Sequence, residues 1–90
     1  ERGYELGLVN RLAEPGSVLD AAVELAEQIA CNGPLALGAT KQILEARRDW
    51  TDEEFWDKQM EIAGPVFGSE DAQEGAVAFT EKREPVWKGR

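Results

Sequence analysis

The fold is decided by the stretch Ser69-Glu-Asp-Ala-Gln-Glu-Gly-Ala-Val-Ala-Phe-Thr-Glu-Lys-Arg-Glu-Pro-Val-Trp-Lys-Gly-Arg90. Ser69 can cap a helix, and the two acids after it place negative charge at the positive end of the helix dipole. Lys82 and Arg83 fall in the predicted last turn, where cations are favoured. The helix is expected to stop before Pro85, because a residue that precedes proline avoids the α-helical region.

Phe79 and Lys82 are the residues of this helix that need an explanation. Their spacing places a ring and an ammonium side by side, about 5–6 Å apart at Cβ. The pattern alone favours Phe79 as a core residue and Lys82 as a partner of the helix dipole. The alternative is a nucleotide contact, with the ring against adenine or ribose, the ammonium on a phosphate, and Arg83 as a second cation. Gly75 costs about 1 kcal/mol of helix propensity, which indicates that something approaches the helix there.

Composition limits the possible functions. A chain of 90 residues forms one domain at most, with a thin core. The net charge of −8 argues against nucleic acid or an anionic membrane as a general partner. No apolar run approaches the roughly 18 residues of a membrane span, and these 90 residues show no signal-peptide pattern. Cys31 is the single cysteine, so no internal disulfide can form, and we expect a cytoplasmic protein.

The sequence offers no catalytic group and no metal ligand set. It contains no histidine, which removes Ser-His and Cys-His nucleophiles and most zinc sites. The acids around Thr51 lack the spacing of a calcium loop, and they suit a helix N-terminus. Glu70, Asp71 and Glu74 are expected to form a solvated face, because nothing nearby would bury them and raise a pKa. We therefore expect no catalytic residue and no metal site.

Two segments precede the main helices. The chain begins at Glu1 as if in mid-sequence, so we expect a fragment or a processed piece. Leu6–Leu12 is short and aliphatic and predicts a brief extended segment, which ends at the turn formed by Pro15 and Gly16. No other strand candidate exists, so a strand here would lack its partner.

The first two long helices follow this turn. Ser17 is expected to cap a helix that runs to about Cys31, with Asp20 giving a box-like start. Asn32-Gly33 should end that helix as a left-handed cap. Pro34 suits the first turn of the second helix, which is predicted to run to about Arg48.

The third helix has the clearest start. Thr51-Asp-Glu-Glu54 is a capping box, and Trp50 and Phe55 occupy the two positions of a hydrophobic staple. Gly64-Pro65 is expected to close this helix. The sequence therefore predicts a mainly α unit of about four helices with one short N-terminal extended segment.

The tail resembles the C-terminal pattern of the crotonase (enoyl-CoA hydratase/isomerase) superfamily, S-x-D-x-x-E-G-x-x-A-F-x-E-K-R-x-P-x-W-x-G. The matching residues are Ser69, Asp71, Glu74, Gly75, Ala78, Phe79, Glu81, Lys82, Arg83, Pro85, Trp87 and Gly89. Upstream, Gly7-Leu-Val-Asn10 and Asn32-Gly-Pro-Leu-Ala36 resemble further segments of the family, as does Ala39-Thr-Lys41. The resemblance covers essentially the whole chain.

This resemblance implies a division of labour. In such enzymes a preceding spiral domain holds the oxyanion hole and, in hydratases, two catalytic glutamates. Residues 1–16 would then end that core domain, and residues 17–90 would form the C-terminal helical domain, which closes the acyl pocket and builds the trimer interface. The residues that match Phe79 and Lys82 reach the adenine-ribose-phosphate end of coenzyme A, often bound mainly by a neighbouring subunit.

The function implied is that of a C-terminal fragment of an acyl-CoA enzyme, an enoyl-CoA hydratase that reversibly hydrates 2-trans-enoyl-CoA in fatty acid oxidation. Phe79 and Lys82 would bind coenzyme A, which is part of the substrate, and no prosthetic group is implied. The parent would assemble as a trimer or a dimer of trimers, and the chain alone would self-associate and be inactive. The alternative is an independent acidic helical protein-interaction module in which Phe79 belongs to the core.

Overall fold

The computed structural model describes all 90 residues, and the predicted mainly helical fold is confirmed. The elements in chain order are α1 (Arg2–Glu5), α2 (Val18–Ala30), α3 (Pro34–Ala46), a 3₁₀ turn (Arg47–Asp49), α4 (Asp52–Phe67) and α5 (Glu70–Glu81). The chain divides into two compact units, Glu1–Cys31 and Asn32–Arg90. None of the helices combines the length and the apolar character that a membrane span requires.

The N-terminal unit contains α1 and α2. The strand expected over Leu6–Leu12 does not form, and the chain turns after α1 instead. Gly7 takes a left-handed conformation with φ of 75°. The Leu8 and Val9 amides then donate back to the carbonyl oxygen of Gly3 at 2.8 and 3.3 Å. The prediction was wrong because these amides close the end of α1 and are not free to pair with a strand.

Both predicted caps of α2 are wrong, although its bounds are close to those expected. Ser17 stands at the N-cap with ψ of 10°, and its hydroxyl donates to the carbonyl of Glu14 at 2.9 Å. Ser17 therefore lacks the extended conformation that an N-cap residue normally takes. Its hydroxyl does not cap α2, and no capping box with Asp20 forms. Gly33 has φ of −57° and ψ of 124°, because the proline after it drives it to extended backbone.

The second unit begins with α3, which ends at Ala46, two residues before the predicted end. Arg47 starts the 3₁₀ turn and braces the connection to α4. Its guanidinium donates to the carbonyl of Trp50 at 2.8 Å, pairs with Asp52, and lies 5.2 Å from the centroid of the Phe55 ring. Arg47 therefore stabilises the connection between α3 and α4 in addition to standing at the C-terminal end of α3.

The predicted capping box of α4 is confirmed. Thr51 Oγ1 accepts from the Glu54 amide at 3.2 Å, and the Glu54 carboxylate accepts from the Thr51 amide at 2.9 Å. Trp50 and Phe55, the two staple residues, have ring centroids 6.3 Å apart. Two free N–H groups at the helix start are thus satisfied by local side chains.

The predicted end of α4 is wrong, because the helix continues through Pro65 to Phe67. The fixed φ of proline is compatible with a helix. A proline inside a helix removes one backbone hydrogen bond and crowds a carbonyl of the preceding turn, but it does not have to end the helix. The residue before it is Gly64, which has no Cβ to clash with the proline ring.

Gly75 lies where the close approach was expected, on the face of α5 that contacts Trp87. A Cβ at this position would lie 3.1 Å from Cη2 of the indole. The same ring edge lies 3.7 Å from the Cβ position of Gly33 at the start of α3. The two glycines therefore make room for one aromatic ring between α5 and the N-terminus of α3.

This contact predicts opposite effects for two glycine-to-alanine changes. Gly38→Ala lies inside α3 with no atom within 4 Å of the new Cβ, so it should raise the free energy of unfolding by about 1 kcal/mol. Gly75→Ala should lower it, because the new Cβ would lie 3.1 Å from Cη2 of Trp87 and would force the indole to shift within the tail that the clamp holds. Urea unfolding of both variants measures the difference. Equal stabilisation by the two changes would contradict the packing described.

Candidate functional site

The chain reverses direction directly after α5, at Lys82. This lysine has φ of 54° and ψ of 44° and is the one non-glycine residue with a positive φ. Its amide donates to the Phe79 carbonyl at 3.3 Å, and the Arg83 amide donates to the Ala78 carbonyl at 3.1 Å. These two bonds form a Schellman motif, in which the left-handed residue is usually glycine.

The predicted last turn with Lys82 and Arg83 is therefore wrong, because α5 ends at Glu81. A left-handed conformation costs a residue with a Cβ about 1–2 kcal/mol. Pro85 is not required to end α5, because the residues after Lys82 make contacts that turn the chain back along this helix.

Glu74 makes the first of these contacts. Its carboxylate accepts from both terminal nitrogens of Arg83, at 2.6 and 3.1 Å, and from the Val86 amide at 2.8 Å. Arg83 Nε also donates to Glu81 at 2.6 Å. The Arg83 hydrogen bonds, followed by the Val86 amide, lower the pKa of Glu74 to about 2. Arg83 is thus engaged by carboxylates of the chain itself, and its role as a second cation beside Lys82 stays a prediction.

Asp71 makes the second contact. It is 4% exposed, and its two carboxylate oxygens accept from the amides of Lys88 and Gly89 at 2.7 and 2.8 Å. Its own amide donates to the carbonyl of Arg90 at 3.0 Å. The solvated face predicted for these acids is therefore wrong for Asp71 and Glu74, because the tail of the chain covers them.

The tail of the chain is held against α5 by one continuous set of polar contacts, which we call the tail clamp. Its members are Asp71, Glu74, Arg83 and the backbone amides of Val86, Lys88 and Gly89. The indole of Trp87 lies within the same segment, on Gly75. The clamp thus combines charged hydrogen bonds, which are stronger than neutral ones, with one packed aromatic ring.

Two side chains of the tail pattern take no part in the clamp. Phe79 is 86% exposed, so the core position that its pattern favoured is wrong. Its neighbour Ala78 is 1% exposed and takes that place instead. The ammonium of Lys82 makes no hydrogen bond or ion pair with the chain. Both side chains belong to the exposed surface at the C-terminal end of α5, and a ligand contact there stays a prediction.

The chemistry available at this surface is binding. A flat exposed ring can stack on a base, and an ammonium can meet a phosphate as a point charge. No group of three or more His, Cys, Asp or Glu side chains is arranged to hold a metal ion. Neither Phe79 nor Lys82 is a member of a nucleophile–base pair of the kind that covalent catalysis requires.

A second concave surface lies between α3 and α4 in the same unit. It encloses about 430 Å³ of space, and its lining is mainly apolar. The lining residues are Thr40, Ile43, Leu44, Arg47, Phe55 and Gln59. The guanidinium in this lining is already paired with Asp52, so the groove presents no free charge for a ligand.

The chain is similar to known proteins over almost its whole length. The family model described as enoyl-CoA hydratase/isomerase matches residues 3–90. A carnitinyl-CoA dehydratase from Salmonella arizonae is 42% identical over 93 residues, which cover 99% of this chain and 36% of the relative. The chain thus spans about a third of the length of the curated relatives that it matches.

Solved structures agree with this match. An enoyl-CoA hydratase from Mycobacterium tuberculosis H37Rv superimposes with a TM-score of 0.95 at 56% identity, over 99% of this chain and 35% of that one. An enoyl-CoA hydratase from Bacillus anthracis gives a TM-score of 0.90 at 30% identity, over 99% of this chain and 34% of that one. The helical arrangement is therefore kept when two thirds of the residues differ.

The lowered pKa of Glu74 predicts an acid-sensitive clamp. A carboxyl group with a lower pKa in the folded state stabilises that state above its unfolded pKa of about 4.5. This contribution should be lost as the pH falls from about 4.5 to about 2. Glu74→Gln should therefore unfold more easily than the natural chain at pH 6 and equally easily at pH 2. Urea unfolding across this range measures it, and a pH-independent difference between the two proteins would refute the charged clamp.

Proposed function

The chain belongs to the enoyl-CoA hydratase/isomerase (crotonase) family, and from that premise we propose that it is the C-terminal helical part of an acyl-CoA enzyme. The predicted correspondence to the C-terminal helical region of the crotonase fold is confirmed by the superimposed structures. The reaction that we propose for the whole enzyme is the reversible hydration of 2-trans-enoyl-CoA. Relatives of this chain named as hydratases and dehydratases support it.

The proposed role of this part is to bind and enclose the substrate, while other residues perform the chemistry. This chain has no histidine, and hydrogen bonds lower the pKa values of Glu54 and Glu74 to about 2, which makes both carboxylates poor acid–base catalysts at neutral pH. We propose that residues 1–16 end the catalytic core domain and that the helices after them close the acyl pocket.

The binding role is supported by two side chains at the end of α5, Phe79 and Lys82, which take no part in the tail clamp. Phe79 is 86% exposed although it is large and apolar, and its burial against a ligand would remove apolar area from water. Lys82 retains a strained backbone where glycine would be unstrained, and strain of this kind concentrates at functional sites. We propose that the ring contacts the adenine or ribose of coenzyme A and that the ammonium contacts a phosphate.

We also propose that this contact is made to coenzyme A bound mainly by a neighbouring subunit, in a trimer or a dimer of trimers. Exposed apolar side chains support self-association, because a surface that carries many of them favours a partner. In the second unit these include Leu44, Trp56, Met60, Phe67, Val77 and Val86.

The alternative, an independent interaction module, has less support. It requires Phe79 in the core, and the ring is exposed. The groove between α3 and α4 and the exposed apolar side chains would suit a protein partner, and assembly of the proposed enzyme would use such surfaces equally well.

Removal of either side chain should weaken binding only of substrates that carry the nucleotide. In the full-length enzyme, Lys82→Ala should raise KM for crotonyl-CoA roughly tenfold or more, the value of a charged hydrogen bond. Phe79→Ala should raise KM several-fold through lost stacking. Neither change should alter kcat or the kinetics with crotonyl-pantetheine, which lacks the nucleotide.

Arg48→Ala is the matched control, because it removes one exposed cation of the same unit away from α5. It should leave the KM for both thioesters unchanged. Equal losses with crotonyl-CoA and crotonyl-pantetheine in the Lys82 and Phe79 variants would contradict the nucleotide contact.

A second prediction concerns the 90 residues alone. They should not hydrate crotonyl-CoA, because no group of the chain can activate water or stabilise a thioester enolate. The loss of crotonyl-CoA absorbance measures hydration. Activity above that of a buffer blank, retained through repeated purification, would overturn the proposed division of labour.

A further inference from the structure

The backbone conformation of Lys82 is maintained by its neighbours, since its own side chain is exposed and makes no hydrogen bond or ion pair with the chain. On one side the Arg83 amide is fixed to the carbonyl of Ala78 at 3.1 Å. The Arg83 guanidinium is then held by both oxygens of Glu74, nine residues earlier. Val86 is drawn to the same carboxylate at 2.8 Å. The backbone on the C-terminal side of Lys82 is therefore attached to the middle of α5.

We infer that Glu74 and Arg83 are positioning residues for nucleotide binding, because their ion pair holds Lys82 in its left-handed conformation at the same end of α5 as the exposed Phe79. This inference rests on the coenzyme A contact proposed above and adds to it the residues that fix the geometry. Glu74 and Arg83 would not touch the nucleotide, since each is occupied by the other and by the tail.

The physical argument is the size of the conformational change that the pair prevents. A lysine at the end of a helix relaxes to φ of about −63°, whereas φ here is 54°. Without the pair, a rotation of more than about 100° in φ would relieve the strain of the left-handed conformation and carry the ammonium to another side of the helix end. The bidentate geometry opposes this rotation because it fixes both the position and the orientation of Arg83.

A lysine that is already held in this conformation should bind the nucleotide more tightly than a mobile lysine would. Ordering a long side chain and its backbone on binding costs free energy, and a residue already held in place avoids part of this cost. The affinity for the nucleotide should therefore depend on an ion pair that makes no contact with it. Glu54 offers a comparison within the same unit. It also pairs with a cation, Lys58 at 2.9 Å, and accepts a backbone amide, but at the start of α4.

The test is a double-mutant cycle in the full-length enzyme with crotonyl-CoA and crotonyl-pantetheine. Glu74→Gln should raise KM for crotonyl-CoA about threefold or more, with kcat and the pantetheine kinetics unchanged. Arg83→Lys should give a smaller rise, because lysine keeps the charge and loses the bidentate geometry. In a Lys82→Ala background, Glu74→Gln should cause no further loss, because the side chain that it positions is absent.

Glu54→Gln is the control for a loss of stability alone, and it should not change the ratio of the two KM values. Four results would overturn the inference. The first is a Glu74→Gln effect of equal size on both thioesters, and the second is an effect that persists in the Lys82→Ala background. The third is no effect of Glu74→Gln while Lys82→Ala weakens crotonyl-CoA binding, in which case the nucleotide contact stands and the positioning role falls. If Lys82→Ala itself has no nucleotide-specific effect, the contact and the positioning role both fall.

Discussion

The attachment of the tail to α5 by Asp71 and Glu74 is the interaction on which the rest of the second unit depends. Only Ala78 and Asp71 are buried in the whole chain, so the apolar core alone holds little together. The carboxylates accept three amides of the tail, and each amide that is covered in this way needs a partner. Charged hydrogen bonds therefore hold the tail against α5, a role that apolar packing has in a larger domain. They also place the ring of Trp87 against Gly33 and Gly75, which leave room for it.

The same attachment explains the surface that it leaves free. Because the tail returns along α5, the chain must reverse within about one residue, and the strain of that reversal falls on Lys82. Ala78 occupies the covered side of the helix, which leaves the ring of Phe79 in solvent. A glycine at the reversal would be more stable, and the proposed contact between the lysine ammonium and a phosphate would explain why a lysine stands there. Lys82 is therefore central both to the reversal of the chain and to the proposed function.

The features that could be predicted from the sequence are the local ones. The Thr51–Glu54 box and the Ser69 cap were correct, because each joins residues three positions apart. The sequence could not show that Asp71 and Glu74 are covered, because their partners lie 9 to 18 residues away. Periodicity likewise cannot decide whether Ala78 or Phe79 faces the protein, and the wrong choice would hide half of the candidate site. Gly75 was the one hint of the tail, because a glycine inside a helix implies a neighbour that is very close.

A crystal structure of the full-length enzyme with coenzyme A bound would test the central claim most directly. The account predicts that the adenine or ribose lies against the Phe79 ring and that a phosphate oxygen lies about 2.7–3.2 Å from Lys82 Nζ. Lys82 should keep its left-handed conformation, and Glu74 should keep both bonds to Arg83. Coenzyme A with its nucleotide remote from both side chains, and Phe79 covered by protein instead, would contradict the account.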